Sequence, residues 1–364
     1  MTAEPKVSKK LMRGNDAVGE GAIRAGCRAY FGYPITPQNE LTEYMAQNAH
    51  RMDRGVFIQS ESEIAAINMV LGAAVSGARA MTSSSSPGIS LKQEGISFLA
   101  SMELPAVIVN VVRGGPGLGN IAPAQSDYFQ ATRGGGHGDY RTIVLGPGSV
   151  QELYDLAIDA FDLADVYRTP VLILSDGMLG QMMEPVVFGK ESRKDLPPKD
   201  WILNGCQGRA SRFIRSLLLD VNVEEAHNWK LFRKYAQIES HEVRFESIWT
   251  EDAKIVVVAY GTSARIARGA VKRAREQGLA VGLIRPITLW PFPKEILRET
   301  AKQVKHFFVF EMSMGQMVED VRLALGGAAD EYFYGRPGGI IMTPAELLRI
   351  IARQYHQIER GSAR

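Results

Sequence analysis

Residues 106–112 read Ala-Val-Ile-Val-Asn-Val-Val and run into Arg113 and the glycine-rich stretch Gly114-Gly115-Pro116-Gly117-Leu118-Gly119. A short, nearly continuous apolar run of this kind is the pattern of a strand covered on both faces, as in a parallel sheet, and 170–174 (Pro-Val-Leu-Ile-Leu) repeats it. On the amino-terminal side, an Ala/Gly-rich helical stretch (14–26) precedes a short apolar strand (29–32) and a helix after Pro37. A second helix is predicted over 61–77, with Ile64, Ile67, Leu71 and Ala74 on one face. Strands alternating with helices make the fold class α/β.

Beyond Pro185 the character changes. Pro197-Pro198, the charged stretch 190–195 and a polar helical segment near 224–239 read as a linker wrapped on the surface. A second α/β unit then begins with a strand at 254–259, a Gly261-Thr262-Ser263 turn, a helix at 264–277 and a strand at 279–283. It continues through a helix after Pro293, a strand at 307–311, a helix at 315–325 and a closing helix at 344–355. The expected division is therefore 1–190, a linker 191–252, and 253–364.

Composition narrows the function. With 364 residues, 45% of them hydrophobic, the chain is long enough for two cores, and 42 basic against 40 acidic residues leave a net charge of +2. No Lys/Arg block suggests a nucleic-acid or membrane partner. The first thirteen residues lack an apolar h-region and no apolar run approaches the ~18 residues that span a bilayer, so the expectation is a cytoplasmic protein. Cys27 and Cys206 stand far apart, whereas an iron–sulfur cluster usually needs four thiolates; single-electron chemistry would need clusters on another chain. The six histidines show no metal-ligand spacing, and no protein-bound metal is expected.

Several short stretches have both a structural and a chemical reading. Tyr33-Pro34-Ile35-Thr36-Pro37 follows a strand, where α/β sheets place ligands, but it also reads as a helix start with Thr36 as N-cap and Pro37 at N1. Ser60 and Glu63 form an S-x-x-E capping box. Arg113, at a strand end beside glycines, suits a carboxylate or a surface ion pair. Ser83–Gly88 reads as a polar turn that cradles a ligand or caps a helix starting near Ile89, and His137, within 133–139, as a solvated loop residue ahead of a proton carrier. Ser175-Asp176-Gly177 with Asn204 faintly resembles a magnesium–diphosphate motif, but its first glycine is a serine, and Pro185, Pro197 and Pro198 interrupt the intervening stretch.

In order along the chain, YPITP (33–37), ESEIAAIN (61–68), TSSSSPGISLKQEGISF (82–98), VNVVRGGPGLG (109–119), SDYFQATRGGGHGDY (126–140) and LIRPITLWPFP (283–293) resemble the alpha subunit of 2-oxoacid:ferredoxin oxidoreductases over about residues 10–355. The branched-chain (2-oxoisovalerate) type is most similar and the 2-oxoglutarate type next. The resemblance implies a thiamine-diphosphate pyrimidine-binding domain, a doubly wound parallel sheet, followed by a transketolase C-terminal-like α/β domain. It implies that thiamine diphosphate is shared with a beta subunit holding Mg²⁺ and the diphosphate. A gamma subunit and a ferredoxin-like iron–sulfur subunit would complete the complex, with [4Fe–4S] clusters and the coenzyme A site on or with these partners and ferredoxin as acceptor. Glu63 would face the pyrimidine N1′, with Gly72 nine positions later as in related pyrimidine domains and Glu61 as the alternative carboxylate. Ile35, Ser85 and Ser86 would contact the cofactor, and Thr36 and Arg113 the substrate's oxygen and carboxylate. Arg285 and Glu311 resemble landmarks assigned to packing and subunit contacts. The competing expectations are a transketolase-like or non-oxidative thiamine enzyme and a non-catalytic scaffold subunit.

Overall fold

The computed structural model describes residues 9–362. Strand β1 (Lys9–Arg13) leads into helix α1 (Gly14–Arg24), strand β2 (Ala29–Gly32), helix α2 (Asn39–Gln47), strand β3 (Val56–Gln59) and helix α3 (Glu63–Val75). Strand β4 (Ala80–Ser84), helix α4 (Pro87–Ser101), strand β5 (Ala106–Val112) and helix α5 (Tyr128–Arg133) follow. Next come β6 (Ile143–Leu145), α6 (Val150–Tyr167), β7 (Pro170–Asp176), α7 (Gly177–Gln181) and β8 (Met183–Val187). Strands β2 to β7 form a parallel sheet in the order β6-β7-β5-β4-β2-β3, and β1 pairs antiparallel with β8 outside it. The run 106–112 is β5 as expected, and every residue of it is buried.

Helix α8 (Val221–His241) and strand β9 (Phe245–Ile248) precede β10 (Ile255–Val258), α9 (Gly261–Glu276), β11 (Val281–Pro286), β12 (Thr288–Trp290), α10 (Lys294–Ala301), β13 (His306–Glu311), α11 (Met317–Leu325), β14 (Asp330–Gly335) and α12 (Pro344–Ser362). The second sheet has the order β14-β13-β10-β11-β9, with β9 antiparallel. The segment read as a linker thus supplies a helix and an edge strand. The expected 261–263 turn is instead the first turn of α9. Strand β12 leaves the second unit and pairs antiparallel with β6, extending the first sheet to seven strands.

Side chains lock the two halves together. Gln125 donates to the Tyr260 carbonyl (2.9 Å) and accepts from the Ser263 hydroxyl (2.6 Å) and the Met312 N–H (3.0 Å). Buried Arg285 makes a two-pronged pair with Glu152 (2.9 and 2.6 Å), the geometry that suits a guanidinium. Glu311 is fully buried and accepts from the Gln316, Met317 and Val318 N–H groups at the start of α11, so both residues act in packing within the chain.

Candidate active site at the strand ends

The chain leaves β2 toward the sheet edge at β3, then returns to β4 on the other side of β2 and moves on to β5. This reversal places a crevice at the carboxyl ends of β2 and β4, where open α/β sheets bind ligands. Thr36 follows β2, Glu63 follows β3, Ser85 and Ser86 follow β4, and Arg113 follows β5.

Two of the sequence expectations for helix starts are corrected. Ser62, not Ser60, caps α3, accepting from the Ala65 N–H (3.2 Å), while Ser60 donates to the carbonyls of Gly32 and Ser62. Glu63 is therefore not spent on a capping box; its side chain is buried and makes no hydrogen bond among the described residues. Glu61 is exposed and accepts from Ser62 (2.8 Å). Helix α2 starts at Asn39 with Gln38 at the N-cap, so Thr36 and Pro37 lie outside the helix; Thr36 is exposed and Ile35 half-buried beside it. The expected apolar face of α3 is corrected as well, because Ala66, Ile67, Val70 and Ala74 point inward while Ile64 is exposed. Gly72 is exposed, and a Cβ there would meet nothing within 4 Å.

At the opposite wall, α4 begins at Pro87, earlier than expected, after Ser86 in a backbone conformation (φ 25°, ψ −82°) that side-chain-bearing residues avoid. Such a residue costs about 1–3 kcal/mol and persists only where its surroundings fix it. Here the Ser86 N–H donates to Asn110 (3.0 Å) and its hydroxyl accepts from the Arg113 N–H (3.0 Å). Asn110 also holds Asp127 (2.9 Å), whose carboxyl burial pushes up. The strained turn brings Gly88 against Glu63: a Cβ at 88 would lie 2.0 Å from Ser84 Oγ and 2.7 Å from Glu63 Oε1. Gly88→Ala should therefore destabilise the fold by about 1–3 kcal/mol, as overpacking does, and displace the carboxylate; thermal denaturation and the activity of the variant check both.

Arg113 is buried, donating from Nη1 to the Thr36 carbonyl (2.9 Å) and from Nη2 to the Leu118 carbonyl (3.0 Å), so the structure joins these two sequence candidates directly. Its Nε and the hydroxyls of Ser84 and Ser85 are buried without a partner. Unmet polar atoms of this kind, at the carboxyl ends of β4 and β5, mark a place for a ligand with nitrogen and oxygen atoms. His137 lies exposed in its loop. Asp176 is occupied elsewhere, capping α7 through the Met178 and Leu179 N–H groups and accepting from Thr262 (2.9 Å). Among the described residues no three His, Cys, Asp or Glu side chains gather as a metal site, and no helix is long and apolar enough to cross a membrane.

The family model described as pyruvate flavodoxin/ferredoxin oxidoreductase, thiamine-diphosphate-binding, matches residues 20–205, and that of pyruvate:ferredoxin oxidoreductase core domain II matches 253–347. The chain belongs to this oxidoreductase family. Ketoisovalerate oxidoreductase subunit VorB of Methanothermobacter marburgensis is 51% identical over 345 residues, covering 95% of this chain and 97% of the relative. 2-Oxoglutarate synthase subunit KorA of Methanothermobacter thermautotrophicus is 38% identical over 370 residues, covering 94% and 98%. Among solved structures, 2-oxoglutarate:ferredoxin oxidoreductase from Magnetococcus marinus superposes with a TM-score of 0.86 at 27% identity, over 97% of this chain and 67% of that one. A split-gene transketolase superposes at 0.56 with 13% identity over 94% and 97%, a likeness of fold alone. Within this oxidoreductase fold, sequence reasoning passed over Asn110 and Asp127, which brace the Ser86 turn, and Lys92, which holds the Ser83 carbonyl. An asparagine inside an apolar strand and a lysine four residues after Gly88 were the available signals.

Proposed function

We propose that this chain supplies the pyrimidine-facing half of the active site in a thiamine-diphosphate-dependent 2-oxoacid oxidoreductase that acts on branched-chain 2-oxoacids and passes electrons to ferredoxin. The class follows from the family; the substrate side chain and the acceptor are drawn from the relatives, of which the 51% identical one is named for ketoisovalerate. The observation that carries the site assignment is the buried Glu63 carboxylate, without a hydrogen bond among the described residues, against Gly88 and the orphaned Ser84 hydroxyl. The residues fit the pyrimidine end of the cofactor: Glu63 would meet N1′, with Ile35, Ser85 and Ser86 around the ring. When bound, thiamine diphosphate supplies the nucleophilic carbon that adds to the 2-oxo group and accepts the electron pair freed by loss of carbon dioxide.

The chain's own residues do the rest. Glu63 holds or releases a proton at the ring nitrogen. Arg113 meets the substrate carboxylate with the donors left over from its two carbonyl partners, and the Thr36 hydroxyl lies on the rim beside it. In this reading a partner beta subunit holds Mg²⁺ and the diphosphate. Gamma and ferredoxin-like subunits complete the complex, with the [4Fe–4S] clusters and the coenzyme A site on or with them. The two cysteines, one buried and one exposed, are consistent with clusters held elsewhere. We divide the chain functionally into 1–190 for the pyrimidine, 191–252 as connecting segment and 253–364 as the transketolase C-terminal-like unit. A transketolase-like activity rests on fold likeness alone.

The test is to purify the complex and measure coenzyme-A-dependent dye or ferredoxin reduction across a panel of 2-oxoacids; absence of activity with every 2-oxoacid would overturn the proposal. In the same assay Thr36→Ala is expected to lower kcat/KM by about 2- to 12-fold, the worth of one hydrogen bond of about 0.5–1.5 kcal/mol, without changing the melting temperature.

A further inference from the structure

Lys92 has no place in the mechanism above, yet it is one of the largest fully buried side chains in the molecule. Lysine is almost never enclosed in this way unless a partner compensates the charge. Among the described residues its hydrogen bond is to the Ser83 carbonyl at the end of β4 (3.1 Å), which leaves two of three ammonium donors unused there. Gly88 and Lys92 stand four apart on α4 and so share a face, and it is against Gly88 that the Glu63 carboxylate lies. The enclosed lysine and the glycine that meets the carboxylate thus lie on one face of α4, at the end of β4.

We propose that Lys92 is a positioning residue for cofactor activation, the internal counter-charge to the Glu63 carboxylate. The proposal rests on the reading of Glu63 as the group that faces the pyrimidine. The surroundings leave Glu63 as the charge that matters. From β2, the buried Tyr30 phenol is pushed up to about 12 by desolvation and stays neutral, bonding Ser83 and Thr42. Asp127 beyond β5 is turned to Asn110, and Glu94 on α4 itself is exposed. Burial brings the Lys92 amine down to about 7, and Glu63 is the charge that opposes the shift.

The counter-charge has a readout that needs no turnover. The unfolded chain holds the lysine proton up to about pH 10.4, whereas the folded chain releases it near 7. The unfolded state thus binds more protons between these values, and stability rises with pH across that window. In the complex without thiamine diphosphate, Lys92→Met should abolish this rise in melting temperature. Glu63→Gln should move its onset below pH 7, because the opposing charge is gone. In the loaded complex, hydrogen–deuterium exchange at C2 of bound thiamine diphosphate should fall about tenfold in Lys92→Met and lose a titration step near neutrality. Adding Lys92→Met to Glu63→Gln should change that exchange no further. An onset unmoved by Glu63→Gln, or independent effects in the double variant, overturns the role of Lys92. Undiminished exchange in Glu63→Gln alone overturns instead the reading of Glu63 on which it rests.

Discussion

Replacing Glu63 by Gln in the assembled complex should lower oxidative decarboxylation of 2-oxoacids by roughly 10²- to 10⁴-fold, the range in which a positioned acid–base group contributes. The amide keeps the size of the side chain and cannot exchange a proton with the ring nitrogen. Among the described residues Glu63 makes no hydrogen bond, so the substitution breaks none, although it removes the charge that faces Lys92. The melting temperature should stay near the wild-type value at neutral pH, since the carboxylate that is lost has no hydrogen-bond partner among the described residues and Lys92 can shed its proton there. Loss of activity together with loss of folding would point to a structural carboxylate; a near-normal rate would remove Glu63 from the chemistry. Glu61→Gln is the internal control, because that side chain is exposed and accepts from its neighbour Ser62, and its rate should be unchanged.

The second large effect is expected at Arg113. Arg113→Ala should cut kcat/KM for 2-oxoacids by about 10²-fold, consistent with a charged hydrogen-bonded group worth about 1.5–3 kcal/mol. This substitution should also cost stability, unlike that at Glu63. The carbonyls of Thr36 and Leu118 lose their donors and the turn that carries Thr36 loses its anchor. Removing donors from buried acceptors costs about 1–3 kcal/mol. Arg113→Lys should restore little, because one ammonium cannot reach two carbonyls on different loops and still present a fork to a carboxylate. Comparing kcat/KM with denaturation midpoints for the two variants separates the substrate contact from the scaffold contact; a lysine variant with wild-type kcat/KM would refute the fork.

The alternation of apolar strands with helices was legible because burial on both faces writes itself into composition: β2 and β5 occupy the expected residues, and β7 begins where expected. What escaped was decided by tertiary pairing. Val56–Gln59 at the sheet edge carries a pattern too short to stand out, and Thr288–Trp290 reads as part of a Pro-rich connection until its partner β6 is known. Among the site residues, Glu63 and Arg113 were nameable through motifs, but their local reading was misleading. The S-x-x-E spacing at 60–63 satisfies the rule for a capping box, yet the Gly32 carbonyl takes the Ser60 hydroxyl and the cap passes to Ser62. Competition between a local and a long-range acceptor leaves no trace in four residues of sequence. Lys92 was invisible for the opposite reason, since a lysine on a helix is ordinarily solvated and only the packing of α4 encloses it.

The passage of Thr288–Trp290 into the first sheet has a consequence for heredity. Were the gene divided near codon 252, the amino-terminal product would be born with the β6 edge bare, a row of unpaired amides of the kind that recruits other chains into aggregates. The carboxyl-terminal product would carry an orphan strand with nothing to complete. Fission of this reading frame would therefore carry a cost at the level of the polypeptide, because each half would lose the strand that the other supplies.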